Sequence, residues 1–468
     1  MALSVRKSDH PTEGFKHYLS EFRHLVNLAA PLLTAQLLVT GTSTVDTIMA
    51  GNYHADDLAG VAIGNSIWMP LYLLVAGLLI ATTSMVARFH GGDDAKSIVA
   101  TVHQSVWLVL ALSGACMAVL FNASWVLSWM EVDPAFASIT DGYLDALAWG
   151  VPGAALFGCM RAFTEGMGRT KPFMISSALA FLTNIPLNYA LIYGKWGFPE
   201  LGGIGCGWAT AFSMWLQVFV LAWFVSRSDS YEGVVLLKGW QWPRWDEIRS
   251  IMALGVPIAL AVFAEVSIFS MVALLLAPLG AVMVAGHQIA LSASHLIFIF
   301  PLSLSQALTI RVGYFLGRNE QSYANLVART GIGAAGLMAL VSLSLILLFR
   351  QSVVGFYTHD LEVQAVALGL FLWMAIYQFP DHLQIAANAC LRAYQDSRVP
   401  LILILFSYWG IALPLGYVLA RTDLLLPLQG AQGFWMALVV GLTATALLLG
   451  RRLQVISARP IESIKAVE

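Results

Sequence analysis

The sequence predicts an all-α membrane protein with twelve transmembrane helices, arranged as two six-helix lobes related by a parallel pseudo-twofold repeat around a central cavity. Three observations carry this expectation. Of the 468 residues, 58% are hydrophobic and only 11% are charged, whereas a soluble chain carries about 25% charged residues. Twelve apolar segments can be marked, each long enough to cross roughly 30 Å of hydrocarbon as a helix. The basic residues also alternate along the chain. On that map, 22 of the 25 lysines and arginines fall in the two tails and in every second loop, and only Lys195, Arg350 and Arg421 fall on the other side. Such an excess marks cytoplasmic loops, so both termini are expected in the cytoplasm. A wrong helix count would scramble the pattern.

Residues 1–24 are polar and hold Arg6, Lys7, Lys16 and Arg23, ahead of an apolar run too long for a signal peptide. They read as an uncleaved cytoplasmic tail. The first lobe (25–226) is expected to span at 25–50, 57–83, 98–122, 138–158, 171–194 and 203–226. A cytoplasmic loop follows at 227–249, with Trp240, Trp242 and Trp245 as an interfacial belt. The second lobe (250–450) is expected to span at 250–277, 283–310, 325–349, 363–389, 398–420 and 430–450, before a cytoplasmic tail at 451–468. Asp56-Asp57 and Asp93-Asp94 precede apolar runs and read as helix N-caps. Cys116, Cys159, Cys206 and Cys390 show no paired or metal-binding spacing and read as small buried hydrophobes.

The repeat is visible residue by residue. A shift of 226 brings Pro31 onto Pro257, Ala59-Gly60 onto Ala285-Gly286, and Val86…Phe89…Gly91 onto Val312…Phe315…Gly317. With small gaps, Cys159-Met-Arg-Ala-Phe163 meets Cys390-Leu-Arg-Ala-Tyr394, and Ile185-Pro-Leu-Asn-Tyr189 meets Leu413-Pro-Leu-Gly-Tyr417. Six spans per half make both halves enter from the same side, a layout used by transporters.

Charges inside the spans point to chemistry. The seventh segment, Ile251–Pro278, has Glu265 as its only charge, and the tenth has Asp381, preceded by Pro380 and by Tyr377 four residues earlier. Carboxylates at that depth persist only where they face a wet cavity or the bundle interior. Pro380 removes a backbone donor, so the tenth helix is expected to break beside Asp381 and line a cation site. Two neighbouring carboxylates would share a proton or hold a hard cation, with Tyr377 adding a neutral oxygen. In the first lobe, position 39 is Val where Glu265 would repeat, but Asp46 lies in the outer part of segment one, at the depth of Asn188 in segment five. Asn184 and Asn188 share one helix face, and with Asp46 they would relay a proton or bend segment one at Pro31. A helix-end Asp46 near water is the plainer alternative. Phe269, one turn past Glu265, could offer a π face to an organic cation. His287 and Gln288 lie inside segment eight, where such a pair bonds across helices, and Gln288 could line the cavity.

No phosphate-binding GxxxxGK[ST] is present, so an energised step must come from an ion gradient. A channel would show a pore ring, and a membrane enzyme would show a clustered metal or nucleophile site. A flippase for lipid-linked precursors would need a cationic cavity for pyrophosphate, but the charges inside the spans are acidic. No basic patch suggests nucleic acid.

These residues resemble the multidrug and toxic compound extrusion (MATE) family, NorM branch, over nearly the whole chain. The resemblance rests on Val45-Asp46-Thr-Ile-Met-Ala-Gly51, Thr170-Lys-Pro172, Asn184-Ile-Pro-Leu-Asn188, Glu200 to Gly207, Phe263-Ala-Glu265-Val, Gly286-His-Gln288-Ile-Ala, Ile310-Arg-Val-Gly313 and Leu391-Arg-Ala-Tyr394. It implies export of cationic amphipathic drugs in antiport with Na+ or H+, with no other cofactor, by a monomer in a bacterial inner membrane. By resemblance, Glu265, Asp381 and Tyr377 fall on the family's cation site in the second lobe. Asp46, Asn184 and Asn188 fall on the polar site of the first, and Phe269 and Gln288 match drug-cavity positions more loosely. Some members carry an acid in segment five where this chain has only amides.

Overall fold

The structure is a computed structural model and describes residues 15–129, 134–228, 231, 234, 236 and 239–460. The described residues form helices and no strand. The first half comprises α1 (Phe15–Tyr53), α2 (Ala55–Gly91), α3 (Ala95–Leu120), the short α4 (Ala123–Trp129), α5 (Pro134–Ala148), α6 (Val151–Gly166), α7 (Lys171–Ile192) and α8 (Gly203–Arg227). The second comprises α9 (Trp245–Leu276), α10 (Ala281–Gly317), α11 (Gln321–Tyr357), α12 (Leu361–Ala393), α13 (Arg398–Leu405), α14 (Leu413–Arg421) and α15 (Ala431–Ser457). A π-helical stretch, Phe406–Ala412, joins α13 to α14 into one span. By length and composition, eleven spans are long and apolar enough to cross a membrane, and the α5–α6 pair makes a twelfth.

The local differences from the sequence reading have physical causes. The fourth span is bent by 45° between α5 and α6, because Pro152 in the first turn of α6 has no N–H to continue the ladder. The expected break at Pro380 does not occur, and α12 runs unbroken through it. The helix is held there between α10, α11 and α15, the kind of packing that lets a spanning helix tolerate a missing donor. Residues 15–24, expected in the tail, already belong to α1, while Arg6, Lys7 and Lys465 lie outside the described residues. Asp94 does cap α3, accepting from the Ser97 N–H at 3.1 Å and hydroxyl at 2.6 Å. These bonds hold its carboxyl below the usual range. Asp57 does not cap its own helix. That cap is His54, and the Asp57 Oδ1 accepts the Gly203 N–H at the start of α8, at 2.5 Å. Gly202, just before, has φ +57, and a Cβ there would strike the same carboxylate. All four cysteines are free and buried.

The repeat governs packing as well as sequence. In the first half α2 packs on α5 and α6, α3 on α6, α6 on α8, α7 on α8 and α1 on α7. In the second, α10 packs on α12, α11 on α12, α12 on α15, α14 on α15 and α9 on α13. Each half is one six-span lobe. We call the end at which α1 begins the basic end, since Arg88, Arg161, Arg169, Arg318 and Arg451 cluster in the helix ends and loops there.

The lobes meet mainly through α2 against α9 and α10, and α1 against α10. Among the described residues, the side-chain hydrogen bonds between lobes gather at the basic end. Arg311 clamps Glu21 with Nε–Oε2 at 3.0 Å and Nη2–Oε1 at 2.7 Å, and the Tyr323 hydroxyl donates to the same carboxylate at 3.1 Å. The Ser84 hydroxyl donates to the Arg392 carbonyl at 2.6 Å, and Arg88 Nη1 to Gln395 Oε1 at 2.7 Å. Below them α2 and α10 cross so closely that a Cβ on Gly91 would run into the Tyr314 carbonyl, and one on Gly317 into that of Arg88. The inter-lobe connection is tied to α3. His103 Nε2 bonds the Leu236 carbonyl at 2.7 Å, Gln104 bonds the Trp242 carbonyl and the Arg244 N–H at 3.1 and 2.8 Å, and Trp107 bonds the Gln241 carbonyl at 3.0 Å. Trp240, Trp242 and Trp245 remain exposed, as an interfacial belt requires.

Candidate functional site

Glu265 enters the second lobe from α9, and Asp381 and Tyr377 enter from α12, one turn apart on one face. The structure brings the three together. Asp381 and Tyr377 are buried at 2% and 4% exposure, and Glu265 lies within electrostatic reach of Asp381. The Gln384 amide, three residues past Asp381, donates to Asp381 Oδ1 at 3.5 Å and also reaches Glu265. The arrangement leaves unpartnered, buried oxygens: Oε1 of Glu265, Oδ2 of Asp381 and Oε1 of Gln384. Ser294 on α10 hydrogen-bonds Tyr377, and Tyr408, from the π-helical stretch, lies within range of both carboxylates. Carboxylate, amide and phenol oxygens are hard donors suited to Na+ or to a proton.

Aromatic rings wall the site. Tyr377 packs edge-on against Trp435 (5.7 Å between ring centres) and Phe269 (6.5 Å). Trp435 in turn donates from Nε1 to His287 Nδ1 at 3.2 Å, so His287 bonds across helices as its setting implied. Gln288 is exposed on α10. Glu265 lies six residues past Ala259, where α9 crosses Gly77 of α2. That is about 9 Å further from the basic end.

The first lobe holds its own cluster. Asp46 is 7% exposed, so it is a buried group and not a helix-end residue in water. Asn188 Nδ2 donates to Asp46 Oδ1 at 2.5 Å and to Asn184 Oδ1 at 2.8 Å. The Thr210 hydroxyl on α8 donates to Asp46 Oδ2 at 3.0 Å. Both asparagines are fully buried, and Asn184 Nδ2 and Asn188 Oδ1 have no partner. The sequence reading missed Thr210, Gln384, Ser294 and Tyr408. Only Gln384 carried a signal, its i+3 spacing from Asp381. The others arrive from spans whose rotation the sequence does not fix.

The family model MatE matches the chain twice, over residues 31–190 and 257–418. The chain belongs to the MATE family. The two matches begin 226 residues apart, the offset that aligns Pro31 with Pro257. Within the MATE family, the chain is 45% identical over 435 residues to multidrug resistance protein PmpM of Pseudomonas aeruginosa, covering 93% of this chain and 91% of that protein. It is 42% identical over 444 residues to multidrug resistance protein MdtK of Yersinia pseudotuberculosis, covering 95% and 97%. The fold matches that of the eukaryotic MATE transporter AtDTX14 with a TM-score of 0.84 at 18% identity, over 96% of this chain and 99% of that one. It matches a multidrug resistance MATE family transporter solved in an outward-facing conformation with the same TM-score at 19% identity, over 98% and 100%.

Proposed function

We propose that this chain is a secondary active multidrug exporter, moving cationic amphipathic drugs outward in antiport with Na+ or H+ by alternating access. The observation that supports this most is the pair of carboxylates, Glu265 and Asp381, each keeping a buried oxygen with no partner. Unpaired acids are costly inside a bundle and are retained where a mobile cation satisfies them. Na+ would be held by Glu265, Asp381 and Tyr377, and a proton would be held by the carboxylates. Asp46, with Asn184 and Asn188, would be a second protonation point. Phe269 and Gln288 would face the drug. The named multidrug resistance relatives support the cargo class, and a transport cycle of this kind makes and breaks no covalent bond.

The coupling follows from competition. An inward-moving cation neutralises the site and releases a cationic drug on the far side, and drug entering from the basic end displaces the cation. We place the basic end in the cytoplasm of a bacterial inner membrane, with lobes at 25–226 and 250–450, in a monomer. A flippase for pyrophosphate-linked lipids would need cationic groups where these acids stand.

The test is ethidium efflux from proteoliposomes under an imposed Na+ or pH gradient. Glu265→Gln and Asp381→Asn are each expected to lower gradient-driven efflux more than tenfold, with the protein still folded. Full efflux in both variants would overturn the reading.

A further inference from the structure

Arg392 breaks the symmetry between the lobes in a way that bears on the cation site. Its repeat counterpart is Arg161, in Cys159-Met-Arg161-Ala-Phe163 against Cys390-Leu-Arg392-Ala-Tyr394. Arg161 is fully tied: Nε donates to Glu165 Oε1 at 2.6 Å, and the guanidinium sits 3.9 Å above the Phe173 ring. Glu165 is still inside α6, one turn on, so the pair shares a helix face. The second lobe also has an acid four residues on, Asp396. However, α12 ends at Ala393, and Asp396 turns away to Arg452, whose Nε donates to it at 2.6 Å.

Among the described residues, Arg392 is therefore left without a carboxylate at contact distance. It is buried, its Nη2 reaches only the Ser305 hydroxyl at 3.4 Å, and its Nε has no partner. Its backbone is fixed at the inter-lobe seam, where its carbonyl takes the Ser84 hydroxyl. Arg392 follows Asp381 by eleven residues, about three turns, so the two share a face of α12. A long helical side chain leans toward the helix N-terminus, here toward Asp381. The charged or titratable groups that act on it are Glu265 of α9, foremost, and Cys390 of its own helix. α10 offers it Ser305, and Arg88 of α2 is bonded to Gln395. The contrast between lobes is then consistent. Where the repeat counterpart of Glu265 is absent (Val39), the arginine is neutralised locally; where Glu265 is present, it is not.

We propose that Arg392 is a specificity-determining residue of the second-lobe cation site, a resident positive charge that competes with the incoming cation for Glu265. It holds affinity low enough for the cation to leave again. The proposal rests on the antiport reading above and deepens it.

The experiment measures half-saturation of ethidium efflux by the coupling cation, which is Na+ if an imposed Na+ gradient drives the parent protein and H+ if only a pH gradient does. Arg392→Gln is expected to lower the half-saturating concentration about tenfold and to slow maximal efflux, because release becomes harder. Arg392→Lys keeps the charge and should stay within about twofold of the parent. Arg161→Gln, in the equivalent but paired position, should leave half-saturation unchanged. Arg392→Met, uncharged and apolar, gives a second reading if the Gln variant fails to insert. Gradient-driven efflux with half-saturation unchanged in both neutral Arg392 variants overturns this role and leaves the antiport reading standing. A parent driven by neither gradient overturns both.

Discussion

Glu265 Oε1 and Asp381 Oδ2 are buried without a partner, whereas both oxygens of Asp46 are occupied, by Asn188 and Thr210. The two lobes therefore treat an acid inside the spans differently: one leaves an oxygen of each acid unpaired, and the other satisfies the charge with neutral donors. Removing a donor from the satisfied acid should cost stability directly. A buried acceptor left unpaired costs roughly 1–3 kcal/mol, so Thr210→Val is expected to lower the melting temperature of the purified protein measurably. Ser294→Ala, which removes a partner of Tyr377 only, should do so less. An unchanged melting temperature for Thr210→Val would mean the hydroxyl does not hold Asp46. Most of these residues were legible in the sequence, because a charge inside an apolar run is conspicuous. Thr210 was not, since a lone hydroxyl in an apolar helix usually bonds its own backbone.

At the scale of elements, the crossing of α2 and α10 has no tolerance. Gly91 and Gly317 let each helix touch the other's carbonyls, of Tyr314 and Arg88. Overpacking a well-packed contact costs about 1–3 kcal/mol, and here the neighbour is backbone, which cannot rotate away. Gly317→Ala is expected to push the helices apart at the basic end and to lower efflux at least tenfold. Gly333→Ala, on α11 with open space around it, should be silent in the same assay. The repeat was legible in such glycines, at Gly91 and Gly317, before any coordinates. The bend at Pro152 and the unbroken course through Pro380 were not. Proline takes away one donor in both helices, and whether the chain bends there is decided by what packs around it. In α12 three neighbouring helices pack around it, and the helix continues through the proline.

For the whole molecule, the seal at the basic end includes, among the described residues, one buried ion pair between lobes. Glu21 is 1% exposed and Arg311 3%. Removing one member of a buried pair strands the other charge, at a cost of about 3–5 kcal/mol. Glu21→Gln should shift the population away from this closed arrangement. Spin labels at the basic ends of α1 and α11, which face each other across the pair, should then report longer distances than in the parent. Identical distance distributions would show that the seal does not depend on the pair. The lobe architecture itself was readable from charge alternation and the 226-residue offset. The side on which the lobes touch was not, because sequence repeats describe each lobe alone and carry no record of how the two meet.

The hydrogen bonds that fix the inter-lobe connection to α3 have a consequence for how the polypeptide tolerates being cut. Leu236, Gln241, Trp242 and Arg244 all bond His103, Gln104 or Trp107, so a chain opened just after Ser228 would leave its second fragment with an adhesive leader for the first. Co-expressed as two polypeptides, the fragments should find each other and restore export, and Gln104→Ala together with Trp107→Ala should make that reunion fail well before it harms the uncut protein.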